Sequence, residues 1–327
     1  MINLGIIGLG GIARFLHCPQ ALQSGCFRLA AAADLFPDNG AAKAAGIETY
    51  YDDYRKLLAD PSIDAVIITS PHDLHTEHCC AAFQAGKHVF VEKPIARNLA
   101  EASAILDAAD KAGTTLMIGF NERFAPIHAH IKNLIDDDIL GSLLTARIDH
   151  YQNFNPAPDS WWRSKERVGG GCVIGSGIHR LDLLRWYLGE PTEVYARATH
   201  MKERLEAEAC VHAVITFESG AIANFSCNWA AYSFPHYEAL SIAGKDGLLT
   251  TDSSTLQLSL AAADNGALKP TIPPACENMY AHFARCIQTG QAPLTNGVEG
   301  YKSLRLVRAI YASIETGRPV QPKNITL

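Results

Sequence analysis

The stretch that decides the fold is Ile2-Asn3-Leu4-Gly5-Ile6-Ile7-Gly8-Leu9-Gly10-Gly11-Ile12-Ala13. Its first half is a short apolar run of strand type. The run ends in Gly8-Leu9-Gly10-Gly11-Ile12-Ala13, a G-x-G-x-x-A sequence that opens a helix. A glycine-rich turn between strand and helix points backbone N–H groups and the positive end of the helix dipole at one place, which suits a pyrophosphate. Such a turn also occurs for packing alone. Its place at the start of a βαβ unit assigns Gly8, Gly10, Gly11 and Ile12 to dinucleotide binding. No basic segment precedes the apolar run and glycines cut it short, so it reads as a strand and not as a signal peptide.

Outward from this loop, the apolar runs Leu4–Ile7, Leu29–Ala33, Ala65–Thr69, Val89–Val91 and Leu116–Ile118 alternate with helix-type stretches. These lie at Ala41–Ala45, Tyr54–Ala59, Glu77–Ala85 and Ala100–Ala112, the last capped by Asn98 and closed by Gly113. The rhythm predicts an α/β fold, a Rossmann doubly wound parallel sheet over residues 1–120. Asp34 ends the second strand, 26 residues after Gly8 (34 − 8). A carboxylate there accepts hydrogen bonds from an adenosine ribose and repels a 2′-phosphate, which favours NAD over NADP. The other reading makes Asp34 a cap for a helix beginning near Pro37, and Arg14 is a cation that would admit NADP.

After Phe120 the pattern changes, so residues 121–327 are expected to form a second, α+β domain. A helix near Pro126–Ile135, a strand near Leu143–His150 and the irregular stretch Gln152–Ser160 come first. A glycine-rich approach then leads into a helix over Gly169–Tyr187. Alternating runs follow at Val211–Phe217, Ile222–Asn228 and Ala239–Ala243, with turns at Ser219-Gly220 and Asp246-Gly247. They predict a mostly antiparallel sheet, one face of which two helices near Glu277–Gln288 and Glu299–Glu315 should cover.

At 327 residues two domains are expected, and 48% hydrophobic with 19% charged residues is an ordinary globular composition. The net charge of −6 leaves no basic surplus for nucleic acid or an anionic membrane, and no run reaches the roughly 18 apolar residues of a membrane span. A small molecule is the expected partner. Nine scattered cysteines without a C-x-x-C pair argue against a disulfide framework or zinc site and for a reducing cytoplasm.

Ligands of open α/β sheets bind beyond the carboxyl ends of the strands. Ser70-Pro71-His72 with His75 follows one predicted strand and Glu92-Lys93-Pro94 follows the next, so both border that crevice. A lysine directly after a buried strand gains from desolvation a pKa nearer the range of proton transfer. The alternative is a Glu92–Lys93 salt bridge, although neighbours on an extended segment point apart. His72, His75 and His78 are three apart, yet a loop-to-helix transition splays them and no carboxylate completes a metal set.

The phrase Ala85-Gly86-Lys87-His88-Val89-Phe90-Val91-Glu92-Lys93-Pro94, the N-terminal loop, and Gly169-Gly170-Gly171 leading to Gly177-Ile178-His179-Arg180-Leu181-Asp182 together resemble the Gfo/Idh/MocA oxidoreductase family, over essentially the whole chain. The resemblance implies that Lys93 and His179 flank a sugar or polyol carbon facing the nicotinamide. It also implies that Glu92, Ser70, Pro71 and His75 lie near the nicotinamide ribose. The second domain would be an open-faced sheet used for oligomer contacts, giving a homodimer or homotetramer. Arg163, after Trp161-Trp162, matches a family position that could hydrogen-bond substrate hydroxyls; the alternative is a guanidinium packed on the tryptophans.

One departure stands out. Many members carry an aspartate four residues before the histidine, where this chain has Gly175. His179 and Lys93 then suffice alone, or Asp182 one turn on orients His179, or hydride transfer is altered; Asp182 is also placed to pair with Arg185 or Arg180. The expected function is an NAD(P)-dependent dehydrogenase acting on a secondary alcohol of a sugar, polyol or related compound. Lys93 would stabilise the alkoxide and His179 would act as base. The rivals are an NAD-binding regulatory protein and an enzyme of NAD-assisted elimination or glycoside cleavage. Specificity is assigned to loops such as Gln152–Arg163 and Tyr232–His236.

Overall fold

The apolar runs of the first third form a six-stranded parallel sheet in the structure, a computed structural model that describes residues 1–36, 38, 40–231, 236–252, 255–261, 270, 272 and 276–326. Its strands are β1 (Ile2–Ile7), β2 (Phe27–Ala33), β3 (Thr49–Tyr51), β4 (Ala65–Ile68), β5 (His88–Val91) and β6 (Leu116–Ile118), joined through α1 (Cys18–Gln23), α2 (Ala41–Ala44), α3 (Tyr54–Ala59), α4 (His75–Gln84) and α5 (Leu99–Ala112). β4 is buried along its whole length and β1 nearly so, as parallel strands flanked by helices must be. Asn98 caps α5 by accepting the Glu101 N–H at 2.9 Å, and Gly113 closes it in the left-handed conformation. The strand order 3-2-1-4-5-6 reverses between β1 and β4. Gly8 and Ser70 stand just beyond the ends of those two strands, at the reversal where such sheets bind ligands. β3 was not anticipated, because three residues beginning with an exposed threonine carry too little pattern.

The rest of the chain contains α6 (Pro126–Asp136), β7 (Leu143–Gln152), α7 (Lys165–Val168), α8 (Ile178–Leu188), β8 (Pro191–His200), β9 (Glu208–Phe217), β10 (Ile222–Asn228), β11 (His236–Gly244), β12 (Gly247–Thr251), β13 (Leu256–Leu260), α9 (Met279–Thr289) and α10 (Gly297–Thr316). The seven strands form one sheet in the order β13-β12-β11-β7-β10-β9-β8, in which only β10 and β7 run parallel. Along β10, Ala223, Phe225 and Cys227 are buried while Ile222 and Asn224 are exposed. One face of the sheet therefore meets the core and the other is open. The helix expected over Gly169–Tyr187 resolves into two pieces, preceded by the short α7. α7 ends at Gly169 with φ +87°, a π-helical turn covers Val173–Gly177, and α8 follows.

The chain divides into two compact units, and the division departs from a single boundary near residue 120. Met1–Asn121 and Glu277–Tyr301 make the first, while Glu122–Cys276 and Lys302–Leu327 make the second. α9, expected to cover the second sheet, belongs instead to the first unit. In the first unit Phe283 stacks on Phe27 at 5.9 Å between centroids and Tyr280 stacks on Phe90 at 5.4 Å. Thr295 also closes the β6 edge, its carbonyl accepting the Ile118 N–H at 2.7 Å and its hydroxyl donating to the Ile118 carbonyl at 2.8 Å. An edge strand left open would invite pairing with other chains, and these two bonds block it at Ile118. No described helix is long and apolar enough to cross a membrane.

Candidate active site

The glycines of the N-terminal loop serve different needs. Gly8 has φ +94°, and a Cβ there would lie 2.8 Å from the Ser70 amide nitrogen, so the fold itself demands glycine. Gly10 and Gly11 have no such reason. A Cβ at Gly10 would meet nothing within 4 Å, and one at Gly11 only the edge of Phe15 at 3.9 Å. Bare backbone facing open space is what a phosphate needs for close approach, so these residues fit the dinucleotide that the motif implies. Asp34 accepts the Leu9 N–H at 2.7 Å and the Phe36 N–H at 3.1 Å, which fixes its carboxylate beside the loop. A cavity of about 540 Å³ opens there, lined by Leu9, Gly10, Arg14, Asp34, Phe36 and Tyr50. The alternative role of Asp34, capping a helix from Pro37, falls on a residue outside those described. Ile12 is exposed beside the loop.

Farther along the same sheet, the buried β5 delivers Glu92 and Lys93, both half-buried, and the Lys93–Pro94 peptide is cis. The Glu92 carboxylate folds back toward its own backbone, where Oε2 accepts the Lys93 N–H at 3.2 Å. Ser70 is buried with its hydroxyl 2.9 Å from His78 Nδ1. His75 is completely buried, its Nδ1 2.8 Å from the Pro94 carbonyl and its Nε2 3.0 Å from the Ser70 carbonyl. It braces the two loops against each other. Burial lowers its pKa in spite of both carbonyls, and burial pushes His78 down to about 4. Gly8, Gly10, Asp34, Ser70, His75, Glu92 and Lys93 thus gather at one end of one sheet, and Pro71 begins the turn that leads into α4.

In the second unit the focus is the start of α8. The row Phe225, Cys227, Trp229 on and just after β10 packs against the turn before the helix, so closely that this turn needs glycine twice. A Cβ at Gly177 would sit 2.8 Å from Phe225 Cζ, and one at Gly175 would sit 2.2 Å from Trp229 Cη2. The volume that an aspartate would take at 175 is filled by indole. Trp229 is buried, donates from Nε1 to Ser176 Oγ at 2.7 Å, and packs on Phe154 at 4.4 Å between centroids. Trp161 and Trp162 stack beside it at 4.2 Å. His179 lies half-buried one turn beyond Gly175.

Asp182 takes the structural role, paired with Arg185 as expected and more closely with Arg123. Arg123 donates to it from Nε and Nη2 at 2.7 Å each, Ser303 donates at 3.0 Å, and Arg185 stands 3.9 Å away. Burial raises its pKa against these partners. Arg180 instead pairs with Glu238 and, at 2.8 Å, with Glu122. Burial opposes the Glu122 charge, but Arg180, a contact from His128 and the nearby His179 outweigh it and hold the carboxyl well below its usual range. Glu122 is thus an acidic neighbour of His179 that the sequence reading missed, although its place just past β6 follows the rule that picked out Ser70 and Glu92. Glu208 was missed too. Buried, with its pKa raised by burial, it accepts the Gly171 and Val173 N–H groups at 3.1 Å each and so caps the π-helical turn. Arg163 donates to the Glu203 carbonyl and so ties two loops together. Of the loop Tyr232–His236, residues 232–235 lie outside those described.

Comparison with known proteins accords with this geometry. The profile of an oxidoreductase family with an NAD-binding Rossmann fold matches residues 2–120, and that of the GFO/IDH/MocA C-terminal domain matches residues 128–250. The chain is 31% identical to an uncharacterized oxidoreductase of Bacillus subtilis, over 98% of this chain and 96% of that one. It is 29% identical to an NADP⁺-dependent D-xylose 1-dehydrogenase of Haloferax volcanii, over 97% and 98%. Among solved structures, an aldose-aldose oxidoreductase from Caulobacter crescentus complexed with glycerol is 28% identical with a TM-score of 0.89, covering 98% of this chain and 99% of that one.

Proposed function

The chain belongs to the GFO/IDH/MocA family of NAD-binding oxidoreductases, and on that premise we propose that it oxidises a secondary alcohol of a sugar or polyol, or reduces the matching carbonyl, with NAD as the favoured dinucleotide. The observation that carries the reading is Lys93, half-buried directly after the buried β5 at the sheet end that bears bare Gly10 and the fixed carboxylate of Asp34. The bound dinucleotide supplies the hydride acceptor or donor. Gly10, Gly11 and Ile12 present backbone N–H groups to its phosphates, while Gly8, whose own N–H is taken by the Ala33 carbonyl, makes the tight turn that brings the loop to them. Asp34 accepts from a ribose hydroxyl and disfavours a 2′-phosphate, while Arg14 in the same cavity is the group through which NADP would be admitted.

Lys93 stabilises negative charge developing on the substrate oxygen, and His179 receives the hydroxyl proton. Ser70, Pro71, His75 and Glu92 shape the nicotinamide end, with His75 bracing the turn that carries Lys93. Arg163 is a substrate contact only if it leaves the Glu203 carbonyl. The regulatory reading rested on Gly175, and it weakens because the indole of Trp229 gives that glycine a packing reason independent of lost chemistry. On the open face of the second sheet, exposed Tyr195, Val214 and Ile222 support pairing with another copy as a dimer or tetramer. The scattered cysteines support a cytoplasmic setting.

The test is Lys93→Met assayed over sugars, inositols and sugar acids with both dinucleotides. Turnover should fall about 10²- to 10⁴-fold while NADH affinity stays within about threefold. Unchanged turnover would remove Lys93 from the mechanism, and an inactive natural protein across the whole panel would sink the dehydrogenase reading.

A further inference from the structure

The first unit holds a buried chain of polar groups that the mechanism above does not use. His17 closes the π-helical turn Ala13–His17, into which the glycine loop runs, and it is completely buried. Its Nδ1 lies 2.5 Å from the hydroxyl of Tyr280, a buried residue of α9, and its Nε2 lies 2.9 Å from Glu92 Oε1. The other oxygen of Glu92 accepts the Lys93 N–H. Phe90 walls the group, edge-on to His17 at 5.5 Å and stacked on Tyr280. Residue 119 is glycine because a Cβ there would lie 2.8 Å from Glu92 Oε1. The carboxylate thus lies against three separate pieces of chain, with His17 Nε2 at ion-pair distance but outside hydrogen-bond alignment.

The protons in this chain can be assigned. Burial keeps the Tyr280 hydroxyl neutral by raising its pKa well above the usual range, so it is available to donate to His17 Nδ1. An ionised carboxylate only accepts, so the proton of a neutral imidazole belongs on Nε2, facing Glu92. Glu92 sits one residue from Lys93, and the His17 N–H offsets part of its negative charge. The ionisable groups around the pair are Lys93, His75, Tyr280 and Cys18.

We propose that His17 is a positioning residue that ties the dinucleotide loop to the catalytic lysine: held by Tyr280 on one side and facing Glu92 on the other, it sets the placement of the loop and the charge felt by Lys93 together. The proposal rests on the reading of Lys93 given above. Without His17, more of the Glu92 charge falls on Lys93 and favours its ammonium form. The limb of the pH profile governed by Lys93 then moves to higher pH, and the loop holds the dinucleotide less firmly.

The experiment compares the full-length protein with His17→Leu, His17→Gln and Tyr280→Phe. It reads NADH affinity by fluorescence titration, the pH profile of kcat, and the ring ¹⁵N chemical shifts of His17. We expect an Nε2–H tautomer in the natural protein. His17→Leu should weaken NADH about threefold or more and raise the Lys93 limb by about half a pH unit or more. His17→Gln, whose amide N–H can face Glu92, should recover most of both. Tyr280→Phe removes one oxygen, tests the idea even if the leucine variant fails to fold, and should shift both the tautomer signal and the limb. An Nδ1–H tautomer, glutamine no better than leucine, or a Tyr280→Phe protein matching the natural one on both readouts would overturn the proposal. Absence of turnover in the natural protein would instead count against the dehydrogenase reading, leaving NADH affinity and the tautomer to decide the role of His17.

Discussion

The first unit's glycine loop and the second unit's glycine-rich turn before α8 are similar in composition, yet they are rich in glycine for opposite reasons. At Gly10 and Gly11 the missing side chains leave space that the protein does not fill. At Gly175 and Gly177 the missing side chains make room for Trp229 and Phe225, which fill it completely. The former leaves bare backbone open to approach, and the latter is a close contact between a helical turn and a sheet. A glycine becomes informative about function only when it is known what a Cβ would have met. The same contrast separates the charged groups. Asp34 holds the N–H groups of Leu9 and Phe36, all within the first 36 residues, whereas the surroundings of His179 depend on groups brought from farther along the chain, Glu122 and Glu238 through Arg180, and Arg123 through Asp182.

The comparison breaks first, if it breaks, at Arg123. Arg123→Met leaves Asp182 buried without its double partner, and cutting one side of such a pair costs about 3–5 kcal/mol. Urea denaturation should show that loss, and a change below about 1 kcal/mol would mean that long-range pairs do not hold the second unit together. The next effect lies in the first unit and is a matter of acid. His78 has an ordinary pKa of 6.5 and sits at about 4 when folded. Between those values the unfolded chain binds more protons, so the contribution is complete above pH 6.5 and is lost as pH falls toward 4, up to about 3 kcal/mol. Melting at pH 7.5 and 4.5 should differ accordingly, and His78→Gln should shrink the difference; an equal acid sensitivity in that variant would assign it elsewhere. The smallest effect sharpens the contrast within one loop. Gly8→Ala should cost about 1–3 kcal/mol of stability, because of its φ and the Ser70 backbone. Gly10→Ala should leave stability within about 0.5 kcal/mol and weaken NADH about tenfold. Equal losses of stability would erase the distinction drawn between these glycines.

What the sequence made legible follows the same line. The doubly wound sheet, the glycine loop, Asp34 and the Glu92-Lys93-Pro94 turn are written in stretches of ten residues or fewer, where local periodicity and turn chemistry speak. The cap at Asn98 and helix α3 were readable for that reason. β3 and β8 were not, the first being too short and the second exposing Tyr195 and Arg197 along its outer face. Trp229, Glu208, Tyr280 and His17 escaped because each acts on a residue between 35 and 263 positions away, and no window along the chain contains both partners. Gly175 is the instructive case. The sequence marked it as a departure, and only the indole facing it gave the reason.

Tyr280 carries one more consequence, and it concerns time. The first unit is made of two pieces of chain, and its buried aromatic cluster is incomplete until Tyr280 and Phe283 arrive. A ribosome adding about 5–20 residues per second delivers the 156 residues from 121 to 277 (277 − 121) in about 8–30 s. Throughout that interval the nascent dinucleotide unit waits with Phe27 and Phe90 lacking their partners. Its last stages of assembly are therefore timed by the synthesis of the other unit's long segment, and the His17–Tyr280 contact forms only after that segment has been made.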